Sequence, residues 1–104
     1  MFESKEADIM NLLFAASTGD ISAVKRHWLG GQDMNGADYD NRTALHLAAA
    51  EAHFEIVVFL VETAGVLTDS KDRWGITPLD DAKFFKNTEI TDYLEDLMKA
   101  DLKM

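Results

Sequence analysis

Apolar residues recur along most of the chain with the spacing of helices. Residues 44–50, ALHLAAA, are rich in alanine, and a more aliphatic run follows at residues 54–60. Ile56 and Leu60 of this run fall on one face of a helix. Near the C-terminus, apolar residues at i, i+3, i+4, i+7 and i+8 predict an amphipathic helix. They are Ile90, Tyr93, Leu94, Leu97 and Met98.

This pattern repeats with a period of 33 to 34 residues. Residues 38–45, DYDNRTAL, match residues 72–79, DRWGITPL, at an offset of 34, and the upstream part of the chain matches at an offset of 33. A period of this length predicts a stack of similar units that bury their faces against each other. We expect one domain, residues 1–104, divided into a cap and first unit at 5–37, a second unit at 38–71, and a third unit with the C-terminal helix at 72–104.

Each unit reads as an acidic turn, a short alanine-rich helix, a tight break and a second helix. In the turn, the aspartate can accept hydrogen bonds from nearby backbone amides, and Asn41 or Gly75 can adopt a left-handed conformation. Thr43 and Thr77 stand at helix N-cap positions, and Pro78 follows at the preferred first helical position. The sequence therefore predicts an all-α fold joined by short turns.

The small side chains and the breaks have physical consequences. Alanine lets a helix pack closely against neighbours on both sides without voids. The break carries glycine in the first unit, Gly19, but Ala52 in the second and Lys86 in the third. An alanine held at positive φ costs on the order of 1 kcal/mol. We therefore predict that Ala52→Gly raises the thermal midpoint.

The period and the string RTALHLAA resemble ankyrin repeats over residues 11 to about 97. Thr-Ala-Leu-His at residues 43–46 stands where the family has Thr-Pro-Leu-His. The resemblance implies an ankyrin-repeat solenoid of about two and a half to three helix-turn-helix units with short hairpin-like turns. It also implies that His46 joins neighbouring turns through hydrogen bonds.

Three longer segments resemble the C-terminal ankyrin region of animal glutaminases of the kidney and liver type. They are NLLFAASTGDISAV, DYDNRTALHLAAAEAHFEIVVFL and KDRWGITPLDDA, in this order. In those mitochondrial enzymes a separate upstream domain that resembles serine β-lactamases hydrolyses glutamine to glutamate and ammonia through a Ser-x-x-Lys motif. The resemblance implies that this chain is the non-catalytic part that follows that domain.

The amino-acid composition limits the kinds of partner and the kinds of chemistry that this chain can have. The formal net charge of −9 opposes binding to nucleic acid or to an anionic membrane surface and favours a cationic partner. The chain has no cysteine, so disulfides and thiolate chemistry are excluded. No apolar run approaches the roughly 20 residues of a membrane span, and MFESKEADIM lacks the features of a targeting segment. We expect an intracellular protein, mitochondrial if the glutaminase resemblance holds.

The sequence offers only weak support for catalytic or metal-binding residues. His46 with Thr43 could be imagined as a base and a hydroxyl, and Ser22 with Lys25 matches Ser-x-x-Lys. For His46, the ankyrin resemblance implies a bridging role instead of catalysis. The Ser22 match lacks the deep pocket, further acid or base and oxyanion hole that such a nucleophile needs. The histidines lack the i, i+4 spacing of a helical zinc pair. We expect no catalytic residue, no metal and no cofactor.

Two acidic pairs could suggest carboxylate chemistry. Asp80 and Asp81, and likewise Glu95 and Asp96, are adjacent in sequence, so the members of each pair point in different directions on a helix. We expect a solvated acidic surface at both places.

Aromatic side chains suggest a protein-binding surface. Exposed aromatic residues near arginine have the composition of interface hot spots. The predicted contacts lie in the turns and at the end of the last inner helix: Tyr39, Asp40, Arg42, Arg73, Trp74, Phe84 and Phe85. The alternative is that Trp74 folds back on the neighbouring turn and one phenylalanine fills the core.

Two functions remain open. The chain is an independent adaptor that binds a cationic segment, or it is an assembly or regulatory element of an enzyme. In the second case it docks on its own catalytic domain or on a second copy, as a homodimer.

Overall fold

The computed structural model describes residues 5–102 and confirms the all-α prediction. No strand occurs within this range; one isolated antiparallel bridge joins Ala37 to Thr43. None of the helices in this range is both long and apolar enough to cross a membrane. The helices are α1 (Lys5–Thr18), α2 (Ile21–Leu29), α3 (Ala44–Ala50), α4 (Phe54–Val58), α5 (Pro78–Phe84) and α6 (Thr88–Leu102), and a π-helical turn (Phe59–Thr63) continues α4.

The helices form three antiparallel pairs, one in each predicted unit. Helices α1, α3 and α5, which we call the inner helices, stack side by side. Helices α2, α4 and α6 each pack against the inner helix of their own pair. The result is an elongated body of 47 × 27 × 25 Å. Alanines at the contacts between inner helices, such as Ala16, Ala48 and Ala82, are completely buried. Small side chains thus allow the close helix packing that the sequence predicts.

Both inner helices that follow a turn begin with a capping box. The side-chain oxygen of Thr43 accepts a hydrogen bond from the His46 amide at the start of α3. At the start of α5 the Thr77 oxygen accepts from the Asp80 amide, and Pro78 occupies the first turn. These bonds satisfy amides that a helix N-terminus leaves without partners.

The turns between units are hairpin-like projections, which we call finger 1 (residues 37–43) and finger 2 (residues 71–77). In finger 1, Asp38 Oδ1 accepts hydrogen bonds from the amides of residues 40 and 42, at 2.9 and 3.0 Å. In finger 2, Asp72 Oδ1 accepts equivalent bonds from residues 74 and 76, both at 2.9 Å. Asn41 and Gly75 hold positive φ angles of 61° and 81°. Each aspartate therefore organises its own finger.

The breaks between paired helices have the left-handed backbone that the sequence predicts. The φ angle is 83° at Gly19, 64° at Ala52 and 60° at Lys86. A Cβ atom on Gly19 would lie 2.8 Å from the His53 ring, so packing as well as backbone conformation requires glycine there. At the other two breaks a side chain is tolerated at a conformational cost.

Side chains at equivalent positions connect successive pairs. His53 Nε2 lies 2.9 Å from the carbonyl oxygen of Ser17, at the end of α1. Thirty-four residues further on, Asn87 Nδ2 donates to the carbonyl oxygens at the end of α3, with a distance of 3.1 Å to that of Ala50. The C-terminus of each preceding inner helix is thereby satisfied by the next pair.

Candidate protein-binding surface

His46 is a buried connector rather than a free acid or base. Its Nδ1 accepts a hydrogen bond from the backbone amide of Thr43 at 3.1 Å, so the ring proton lies on Nε2. Nε2 then donates to the carbonyl oxygen of Ile76 in finger 2, at 2.8 Å. Because the ring is completely buried and both nitrogens are engaged, His46 joins α3 to the next finger.

The Ser-x-x-Lys match lies on the surface of α2. Asp20 caps this helix by accepting from the Ala23 amide at 3.1 Å, which places Ser22 in the exposed first turn. The Lys25 Nζ lies 5.8 Å from the centroid of the Phe59 ring. Neither side chain has the enclosed surroundings that a catalytic serine needs.

The histidines also lie in separate surroundings. His27 Nδ1 pairs with the side-chain oxygen of Gln32 at 2.6 Å, whereas His46 and His53 contact backbone carbonyls of other elements. Between residues 5 and 102, no group of three or more histidine, aspartate or glutamate side chains is arranged to hold a metal ion.

Arg42 is mostly buried in ion pairs, whereas the predicted aromatic contacts are exposed. Its Nη1 lies 2.6 Å from Asp72 and its Nη2 lies 2.9 Å from Asp81, and only 19% of its side chain is exposed. The guanidinium therefore connects finger 1 to finger 2 and to α5. The expectation of a solvated acidic pair is wrong for Asp81, which is 6% exposed, because its carboxylate turns inward to pair with Arg42.

The pKa values of the two carboxyl groups beside Arg42 are shifted in opposite directions. Burial alone would raise the pKa of Asp72, but the amides of Ile76 and Trp74 and the guanidinium outweigh it and hold the pKa below its usual value. For Asp81, burial outweighs the attraction of Arg42 and raises the pKa. Ionisation is thus favoured at Asp72 and disfavoured at Asp81, although both carboxylates contact Arg42.

Trp74 projects from finger 2 and is 63% exposed. The guanidinium carbon of Arg73 lies 5.2 Å from the centroid of its ring, within the range of a cation–π contact. Arg73 also reaches finger 1, since its Nη1 lies 3.2 Å from Asp40 Oδ1 and its amide donates to the Asp40 carbonyl at 2.9 Å. Arg73 thus adds hydrogen bonds between the fingers to the one that Arg42 makes with Asp72.

The other predicted aromatic contacts are also exposed. Phe84 and Phe85, at the end of α5, are 77% and 53% exposed, and their rings meet edge to face with centroids 4.9 Å apart. Tyr39, in finger 1, is 91% exposed. The structure thus brings Asp40, Arg73 and Trp74 together at the fingers and the two phenylalanines together at the end of α5.

Comparison with protein families assigns the architecture. The family model for ankyrin repeats, in three copies, matches residues 12–103. The chain belongs to the ankyrin-repeat family.

Curated relatives of this ankyrin stack include several glutaminases. The chain is 51% identical over 94 residues to the mitochondrial liver isoform of glutaminase from Mus musculus, and 44% identical over 91 residues to putative glutaminase 2 from Caenorhabditis elegans. It is also 43% identical over 89 residues to the potassium channel GORK from Arabidopsis thaliana. These matches cover 90%, 88% and 86% of the chain but only 16%, 15% and 11% of the relatives. The resemblance to the glutaminases is confirmed for this stretch of sequence.

Sequence reasoning missed exposed apolar side chains at the first helix of the ankyrin stack. Met10 and Phe14 of α1 are 54% and 69% exposed. At an offset of 33, Phe14 corresponds to Leu47, which is partly buried against the core. The signal was available in the sequence, because Phe14 is apolar at a stacking position and no repeat unit stands before α1 within residues 5–102.

Proposed function

We propose that this chain is a non-catalytic protein-binding module. The observation that carries the proposal is the exposure of Trp74, Phe84 and Phe85, which lie outside the buried core of the stack. Exposed aromatic residues beside arginine are enriched among residues that dominate binding energy. We call Tyr39, Asp40, Arg73, Trp74, Phe84 and Phe85 the aromatic surface. Arg42 is omitted because its guanidinium is already paired with Asp72 and Asp81.

The parent protein in this proposal is a mitochondrial glutaminase. Support comes from the identity to the mitochondrial liver isoform of mouse and to the worm glutaminase, together with the three sequence segments that resemble this enzyme class. A separate domain of the parent would hydrolyse glutamine to glutamate and ammonia. The ankyrin stack would organise or regulate that enzyme by docking on the catalytic domain or on a second copy of itself.

A second candidate is an independent adaptor for a cationic segment. The net charge of −9 favours such a partner. The 43% identity to a plant potassium channel supports it as well, because it indicates that stacks with this sequence pattern also belong to proteins that are not glutaminases.

Titration of the labelled chain with the remainder of its parent protein tests the proposal. We expect saturable binding that Phe84→Ser with Phe85→Ser weakens about tenfold or more, as expected when hot-spot aromatics are lost. The matched control is Leu29→Ser, because Leu29 is 74% exposed at the end of α2, outside the aromatic surface. Equal weakening by both variants would contradict a role for the aromatic surface. Absence of binding would instead favour the adaptor.

The non-catalytic part of the proposal has its own test. Incubation of the purified chain with glutamine should release no ammonia above the buffer rate, because Ser22 and Lys25 lie on an exposed helix face. Turnover that Ser22→Ala abolishes would overturn this part.

A further inference from the structure

The third unit ends in a groove with apolar walls. The groove has a volume of about 440 Å³ and lies between α5, α6 and the segment before finger 2. Leu79, Leu94 and Met98 line it, and Asp69 and Asp80 stand at its edge together with two threonines. At the offset of 34, Leu79 corresponds to Leu45, which the next unit covers almost completely, to 1% exposure. The groove is therefore the side on which a further unit would stack.

Two side chains hold the following unit at the interior contacts of the stack. Asn35 Oδ1 accepts a hydrogen bond from the amide of Leu67 in the second unit, at 2.8 Å. His46 Nε2 donates to the carbonyl oxygen of Ile76 in the third unit, also at 2.8 Å. Each of these residues thus presents a hydrogen-bonding group to the backbone of its neighbour.

Carboxylates occupy the equivalent positions at the groove. Asp69 and Asp80 lie 34 residues after Asn35 and His46. An ionised carboxylate accepts hydrogen bonds but donates none, so Asp80 would repel the carbonyl oxygen that His46 binds. Asp80 Oδ2 accepts from the Thr77 amide of its own helix, and Asp69 has no hydrogen bond with any described residue. The groove is consequently suited to N–H donors and cations rather than to a fourth ankyrin unit.

We infer that this groove binds a basic amphipathic segment of another protein. Apolar side chains of the segment would enter between Leu79, Leu94 and Met98, while its lysines or arginines would face Asp69 and Asp80. Charge complementarity around an apolar centre is the usual anatomy of such interfaces. A second copy of this chain is disfavoured as the occupant, because its net charge of −9 would oppose that of the groove. The inference concerns a surface separate from the aromatic surface and does not depend on it.

Fluorescence anisotropy with a designed probe tests this inference. The probe is a labelled helical peptide of leucine and lysine with all leucines on one face, and its counterpart carries glutamate in place of lysine. We expect the 104-residue chain to bind the lysine peptide saturably and the glutamate peptide not at all. Asp69→Asn with Asp80→Asn should weaken binding about tenfold, and Met98→Ala several-fold.

The matched control removes the same charge from the other side of α6. Asp92 and Asp96 are exposed and lie about 160° around the helix from Leu94, so Asp92→Asn with Asp96→Asn should change the affinity less than about twofold. Equal weakening by both double variants would overturn the inference, since it would indicate attraction by net charge alone.

Two further results would also overturn it. Lack of saturable binding would show that the carboxylates only make a polar cap on the stack. Self-association of the chain that Met98→Ala abolishes would show a second copy as the occupant. Because Asp80 helps to cap α5, Asp69→Asn alone provides a variant with an unchanged cap; it should keep the helical circular dichroism and bind the peptide about threefold more weakly.

Discussion

Asn41, Ala52 and Lys86 hold a left-handed backbone conformation although none of them is glycine. Asparagine tolerates this conformation better than other side chains, because its short amide can bond to nearby backbone. Alanine has no such compensation. Ala52 is therefore a position where the fold imposes a local cost that one substitution can relieve.

Ala52→Gly should stabilise the protein by about 0.5–1 kcal/mol, since glycine adopts a φ near 64° without the Cβ clash. For a domain of this size the thermal midpoint should rise by roughly 2–8 °C. The matched control is Ala50→Gly at the end of α3, which should lower the midpoint. A lower midpoint for Ala52→Gly would mean that residue 52 is not left-handed in solution.

The pair of carboxyl groups at Arg42 predicts a pH dependence with a definite sign. The folded-state pKa of Asp72 is lowered, so its stabilising contribution is present above the usual aspartate pKa and is lost as pH falls through the folded value. Asp72→Asn should cost about 1–3 kcal/mol at pH 7. In urea titrations at several pH values, the difference in unfolding free energy between this variant and the natural chain should narrow as pH falls below the usual aspartate pKa.

Asp81 provides the comparison for that experiment. Its raised pKa means that ionisation is penalised in the folded protein, so its contribution falls as pH rises through the folded value. Asp81→Asn should therefore cost less than Asp72→Asn at pH 7. The reverse order would contradict the opposite pKa shifts of the two carboxyl groups.

Helices and turns in this chain are connected at a few hydrogen bonds. His46 links α3 to finger 2, His53 links α4 to α1, and Asn87 links α6 to α3. The sequence pattern predicts the helices themselves, because caps, breaks and apolar spacing are all local signals. The resemblance to ankyrin repeats indicates the bridging role of His46.

Other connections could not be predicted from local signals. Arg42 meets Asp72 and Asp81 across 30 and 39 residues, and nothing in the sequence distinguishes Arg42 from the exposed Arg73. Only the stacking of finger 1 on finger 2 and α5 determines that one guanidinium is enclosed. The hydrogen bond that the Tyr93 hydroxyl donates to Glu62, at 2.6 Å, likewise depends on how the helices pack and could not be predicted from local signals.

His46→Ala should destabilise the stack by about 2–4 kcal/mol. The substitution removes two hydrogen bonds and leaves the buried Thr43 amide and the partly buried Ile76 carbonyl without their partner. The matched variant Tyr93→Phe removes one bond at a partly exposed position and should cost less than about 1 kcal/mol. Denaturant unfolding measures both; equal costs would argue against His46 as a principal connection between units.

In the assembled stack, the residues that stabilise the fold are different from those that we propose to bind a partner. Its core comprises alanines and aliphatic residues between the helix pairs, whereas the aromatic surface lies on the fingers and at the end of α5. Removing exposed side chains should therefore leave folding almost unchanged. Trp74→Ala should alter the unfolding free energy by less than about 0.5 kcal/mol in a denaturant titration. A larger loss would mean that the indole packs on the fingers and is not free for a partner.

Hydrogen exchange of the chain, alone and within its parent protein, tests the binding role most directly. We expect amides of finger 2 and of residues 83–87 to exchange more slowly in the parent, because a docked domain or second copy covers the aromatic surface. Amides of the exposed first turn of α2 should exchange equally in both. Identical exchange at finger 2 and at the end of α5 in the two samples would contradict docking of this surface within the parent protein.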